Sequence, residues 1–170
     1  AVSMLVSLGI IEGKPDGSYA PTENVDRAQM AKMLSVIMNK GVDNSALYQS
    51  VNSGLTDITS NWAKGHINYC YTTGIIAGRG NGTFDPSATV TALEAAKMLL
   101  VAVGYDPAIE GFEGADWAIN VSVRADEQGI FEGFTKDLSA PLNRDDAALL
   151  IYNALDVEMI QSYTTNNYPI

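Results

Sequence analysis

The sequence predicts an all-α domain assembled from three copies of a helix–loop–helix unit around one shared core. Three observations carry this. Sliding the chain by 65 positions lays Gly9–Leu34 on Gly74–Leu99 without a gap, and 11 of the 26 aligned positions are identical. Apolar residues recur at helical spacing on both sides of each shared loop. A third, more divergent copy keeps phase: Gly129-Ile130-Phe131 stands for Gly-Ile-Ile, with Gly133 and Pro141 at the same steps as Gly13 and Pro21 in copy one.

The first helix of copy two is predicted from Trp62, Ala63, Ile67, Cys70 and Tyr71, which form one stripe ended by Gly74. Trp62-Ala63 lies 12 residues before Gly74 and Trp117-Ala118 lies 12 before Gly129, which places the first helix of copy three; by this register copy one is truncated at its start. The turns Pro15-Asp16-Gly17 and Gly80-Asn81-Gly82 follow, and each leads into a short extended stretch. The second helices carry Met30, Met33, Leu34, Ile37 and Met38 in copy one, against Ala95, Met98, Leu99, Ala102 and Val103 in copy two. Gly41 and Gly104 end them. Copy three resumes after a three-residue deletion as Leu142-Asn143-Arg144-Asp145-Asp146.

The expected layout is a single domain over 1–156, with repeat one at 1–40, a connector at 41–54 and repeat two at 55–104. A second connector at 105–113 and repeat three at 114–156 complete it, and 157–170 read as a polar tail or linker. Ser45 to Val51 can add a helical segment within the first connector. A lone unit of this size buries too little surface to be stable, so contacts are expected to cross between copies.

Composition narrows the function. With 20 Asp and Glu against 10 Lys and Arg the net charge is −10, which argues against nucleic acid and anionic membranes. No apolar run approaches the roughly 20 residues of a membrane span. One cysteine, Cys70, and one histidine, His66, cannot make a Cys/His metal site or an internal disulfide, and no cofactor motif is present. Four residues apart, these two suit packing. No carboxylate pair sits in a catalytic pattern, and the loops lack the ladder of a calcium-binding hand, so neither an enzyme nor a metal site is expected.

The repeated elements resemble the S-layer homology repeat. They are Trp62-Ala63, GIIEG and GIIAG, GSYAP and GTFDP, the helix starts VDRAQ, VTALE and LNRDD, and Leu55-Thr56-Asp57-Ile58. The resemblance implies a three-pronged, pseudo-threefold helical domain of an extracellular bacterial protein. Such domains anchor proteins to the cell wall without a covalent bond. The implied partner is a wall polysaccharide or peptidoglycan-linked glycan, often one bearing a pyruvate ketal on a terminal N-acetylmannosamine. A degenerate copy acting in self-assembly or interdomain packing, without glycan, is the alternative.

At the helix starts, Thr91 and Glu94 read as a capping box, with looser versions at Asp26/Gln29 and Asn143/Asp146. Arg27 and Arg144 are not required for capping and oppose the helix dipole. They are therefore the leading candidates for binding a carboxylate, against the competing reading of a bridge to a neighbouring acid. Copy two has Ala92 at this place, so its site is expected to be weakened unless Arg79 in the adjacent loop, where copy one has Lys14, supplies the charge; the sites are expected to be unequal, with the helix start of copy one the best preserved. Asp16 and Asn81 are turn formers that could also bond sugar hydroxyls. Trp62, Trp117, Tyr19 and Phe84 are expected in the core. On this reading Arg27→Ala weakens binding and leaves the melting temperature nearly unchanged.

Overall fold

A computed structural model describes residues 1–170. Eight helices form it: α1 Val2–Ser7, α2 Arg27–Met38, α3 Ser45–Tyr48, α4 Lys64–Thr72, α5 Ala92–Val103, α6 Pro107–Glu110, α7 Trp117–Glu127 and α8 Arg144–Ala154. Only isolated bridges accompany them, so the class is all-α.

The long helices start where their caps dictate. Asp26 accepts from the Gln29 amide while Gln29 reaches back to the Asp26 amide, and Thr91 and Glu94 repeat both arms. At α8 only the first arm forms. Asn143 accepts from the Asp146 amide, but the Asp146 carboxylate turns to Lys136 at 2.5 Å.

The two helices of one repeat are not packed on each other. α4 packs on α2, α7 on α5 and α1 on α8, so the first helix of each repeat lies on the second helix of the preceding one, and the third closes onto the first. Ala63, Ile67 and Cys70 bury completely in the α2–α4 seam region, with the Cys70 thiol donating to the Ala31 carbonyl at 3.4 Å. In the same seam Ser35 Oγ lies 2.5 Å from His66 Nδ1, and both residues are buried.

The closure centres on the short segments preceding the second helices. Val25 N–H donates to Leu142 O at 2.9 Å, Leu142 N–H to Val90 O at 2.7 Å, and Val90 N–H to Val25 O at 3.2 Å. This is a cyclic three-bond ring, one bond per repeat boundary. The side chains of Val25, Val90 and Leu142 are buried around it. Each boundary also ties a helix start to the segment after the next repeat's loop: Arg27 N–H to Ala88 O, Leu93 N–H to Leu138 O, and Arg144 N–H to Glu23 O. Backbone groups that a single repeat would leave unpaired are thus satisfied by its neighbours.

Both connectors are ordered. α3 lies on α4, where a Cβ at Gly65 would come within 2.1 Å of the Ser45 carbonyl oxygen, so no larger residue fits. Residues 157–170 turn back as a bent hairpin. Ile160 N–H donates to Val103 O at 2.9 Å, Tyr163 and Pro169 bridge, and the Tyr163 hydroxyl donates to Glu110 at 3.0 Å, beside the Arg124–Glu110 ion pair at 2.8 Å. Gly104, at φ 113°, permits that approach: a Cβ there would sit 2.5 Å from Ile160 O.

Candidate functional site

Because each helix start abuts the next repeat, an arginine in its first turn points into that neighbour's loop. Arg27 donates from Nε to Phe84 O at 2.8 Å and from Nη2 to Ala77 O at 2.6 Å, with its guanidinium carbon 4.5 Å from the Phe84 ring centre. Arg144 does the same where repeat three meets repeat one. Its Nε donates to Tyr19 O at 2.8 Å and its Nη2 to Glu12 O at 2.9 Å, and it stacks 4.6 Å over Tyr19. Ala77 matches Glu12 and Phe84 matches Tyr19 in the 65-residue register, so the two constellations are equivalent. Carbonyls, not neighbouring carboxylates, hold both arginines, and in each the Nη1 group makes no protein hydrogen bond.

A groove opens beside each arginine. Groove A, about 200 Å³, joins Arg144 of repeat three to the Ile10–Pro15 loop, to Gln29, Lys32 and Met33 of α2, and to Trp62 of repeat two. Groove B, about 530 Å³, joins Arg27 of repeat one to the Ile75–Arg79 loop, to Glu94, Lys97 and Met98 of α5, and to Trp117 of repeat three. Every groove therefore draws on all three repeats. Arg27 is 4% exposed, and burial, then the nearby Arg79 charge, pulls its guanidinium down to about 10, so it remains a cation at neutral pH.

Of the residues singled out from the sequence, Arg27 and Arg79 meet in groove B, and Arg144 and Lys14 in groove A. Arg79 therefore does not compensate for Ala92. The two belong to different repeat boundaries, since Ala92 starts the helix that faces repeat three. Asp16 and Asn81 line neither groove; each side chain caps its own turn, Asp16 accepting from Ser18 N–H at 2.9 Å and Asn81 from the Thr83 hydroxyl at 2.5 Å.

Three of the four aromatic residues expected in the core need correction. Trp62 precedes α4 instead of lying in its buried stripe and is 61% exposed on the rim of groove A. Trp117 is half-buried, with Lys97 5.9 Å from its ring, and Tyr19 is half-buried under Arg144; Phe84 alone of the four is fully buried.

Lys32 and Lys97 were not anticipated as site residues. The register that pairs Lys14 with Arg79 also pairs these two lysines, which is the signal that would have found them. With them, six of the chain's ten Lys and Arg residues line two grooves of a protein whose net charge is −10. At the third boundary the equivalent positions hold Ala92, Phe134 and Leu149, so all three cations are replaced by apolar residues.

The fold and grooves define a cyclic three-repeat helical domain with cation-lined inter-repeat clefts. The family model described as S-layer homology domain matches residues 1–31 and 54–96, and the chain belongs to that family. It is 30% identical over 162 residues to a cell surface protein of Thermoanaerobacter kivui, covering 95% of this chain and 20% of that protein. It is 28% identical over 161 residues to a middle cell wall protein of Brevibacillus brevis, covering 94% and 15%. An S-layer protein of Bacillus licheniformis is 32% identical over 111 residues, covering 65% and 12%. The chain thus spans a fifth or less of the length of these relatives.

Proposed function

We propose that this chain is an extracellular, cell-surface module that anchors a larger protein to the bacterial cell wall by binding wall glycan in its inter-repeat grooves. The supporting observation is the concentration of six cations and both tryptophans in two equivalent clefts of a strongly acidic chain. An indole at a cleft rim offers an apolar face for a sugar ring. The Arg27 and Arg144 Nη1 groups are positioned by carbonyl bonds that hold the rest of each guanidinium, which leaves a charge-assisted donor for a ligand. The ligand that this donor set suits is a secondary cell-wall polysaccharide with an acidic substituent such as a pyruvate ketal. No bond is made or broken in this mechanism; the module is non-catalytic, and retention is an equilibrium.

The third boundary supports a second role. With Ala92, Phe134 and Leu149 in place of the cations, it suits apolar packing or self-association better than an acidic sugar. The anchoring proposal is tested by retention on purified wall sacculi, intact and stripped of secondary polysaccharide. Binding to intact sacculi alone is expected; equal retention by both, or by neither, contradicts it.

A further inference from the structure

Away from the two grooves, one buried polar atom is left without a partner. Asn68 on α4 is fully buried, and its Nδ2 donates to Tyr48 O at 2.9 Å and to Val51 O at 3.0 Å. Both amide protons are thus used on the first connector, which fixes the group's orientation: turned over, Oδ1 would face two carbonyls. Oδ1 itself accepts nothing, and it is the only buried side-chain nitrogen or oxygen in that condition. Buried acceptors are otherwise satisfied in folded proteins, so this one calls for a donor from outside the chain.

Asn68 lines a cleft of about 230 Å³ between the connector and the start of α4, which shares no residue with groove A or groove B. Val51, Leu55 and Ile58 give it an apolar wall, and Ser50, Ser53 and Thr59 bring hydroxyls. Its only charge is half-buried Lys64, one turn before Asn68 on the same helix face, which forms no ion pair. No carboxylate lines the cleft, in a chain that has 20. The cleft is also private to repeat two. In the register that pairs Trp62 with Trp117, Lys64 and Asn68 become Ile119 and Val123, so the helix forms without either polar group.

These groups set the chemistry of a ligand. Oδ1 requires an N–H or O–H donor, and the Lys64 charge disfavours one that is itself cationic. Lys64 requires an acceptor oxygen, and the apolar wall a small aliphatic group. Sites that enclose a whole small molecule occupy about 300–1,000 Å³, so this smaller cleft suits a substituent. A secondary acetamide supplies all of these in its N–H, its carbonyl and its methyl group. We infer that this cleft is a separate ligand site for a secondary acetamide, carried by an N-acetylated amino sugar or an N-acetylated amino acid, with the N–H on Asn68 Oδ1 and the carbonyl on Lys64. The inference goes beyond the anchoring proposal and does not depend on the grooves.

The probe is the methyl glycoside of N-acetylglucosamine, titrated into the intact, isotope-labelled chain while the Asn68 side-chain NH₂ resonances are followed by NMR. N-acetylglycine offers the same group from the second source. Methyl glucoside, and the methyl glycoside of glucosamine with its free ammonium, are the controls. A saturable shift at Asn68 with one or both acetamides, and with neither control, is expected; the tighter of the two names the source. The Trp62 and Trp117 indole N–H resonances, which report the grooves, are expected to stay. Lys64→Gln should weaken the response about tenfold. Thr59→Trp, at an exposed position, should abolish it by filling the cleft, and an otherwise retained spectrum shows that both variants fold. A shift shared by methyl glucoside, a response indifferent to both substitutions, or one confined to the indoles overturns the inference. So does silence with both acetamides, which would leave Oδ1 to an ordered water only. Each of these outcomes leaves the anchoring proposal to its own test, retention on sacculi.

Discussion

Arg27 and Phe84, 57 residues apart in sequence, are locked together across a repeat boundary: the guanidinium carbon lies 4.5 Å from the ring centre while Nε–H donates to the Phe84 carbonyl oxygen at 2.8 Å. One side chain therefore helps join two repeats and also lines the cleft between them. This changes what its removal should do.

Arg27→Ala is expected to destabilise the chain by about 2–4 kcal/mol, because it strips the buried Phe84 carbonyl and the part-buried Ala77 carbonyl of charged donors and removes the guanidinium from the Phe84 ring. This replaces the expectation, drawn from sequence, of an unchanged melting temperature. Arg27→Lys should rescue little of the loss, since an ammonium cannot span both carbonyls while stacking on the ring. Urea denaturation of these variants checks it, with Arg79→Ala, at a partly exposed position, expected within about 0.5 kcal/mol of the parent.

The tryptophans should separate stability from binding. Trp62→Ala removes a largely exposed indole and is expected to cost less than about 1 kcal/mol. Trp117→Ala should cost more, because that ring packs partly against the core. Thermal melts of the two variants rank them, and a larger loss at Trp62 would contradict the assigned burial.

The repeat units should not fold singly. Residues 55–104 contain α4 and α5, whose partners are α2, α7 and α8 in the other repeats. That fragment is expected to show the circular dichroism of an unfolded chain, whereas residues 1–170 unfold in one cooperative transition.

Burial holds His66 below its ordinary value of 6.5, against the pull of the Asp43 carboxylate 3.7 Å away and with that of Lys32. The unfolded chain therefore takes up the His66 proton at higher pH than the folded one. Its contribution to stability is complete above 6.5 and is lost as pH falls through that value towards the folded-state pKa. Urea midpoints should decline from about pH 7 to about pH 5, and His66→Gln should flatten that slope. Asp43 and Asp57 titrate lower, both held below 3.8. At Asp57 burial works upward, but the amides of Phe84 and Asp85 outweigh it. Their contributions are lost only as pH falls below that value.

The repeats, the helices and their caps were legible because periodicity and cap chemistry are local. The 65-residue register identifies which residues of copies one and two are equivalent and pairs Lys14 with Arg79, while Arg27 and Arg144 stand out at helix starts where a cap needs no arginine. It could not say which repeat an equivalent residue faces. Sequence adjacency alone puts Arg79 at Ala92's boundary, whereas the cyclic closure sets Arg79 beside Arg27. The size of Trp62 points to the core, yet the residue falls one position before the buried stripe that Ala63 begins. The Glu12–Lys32 pair joins a loop to a helix 20 residues away, a closure that no local pattern encodes.

The most direct test of groove binding uses the only two tryptophans in the chain. Polysaccharide released from sacculi is titrated into the intact protein, and tryptophan emission is recorded before and after the glycan is stripped of acid-labile ketals. A saturable change that is lost with the ketal, and that is displaced by rising salt, is the predicted result. Retention on sacculi with no change in tryptophan emission would show that the wall is bound elsewhere on the molecule.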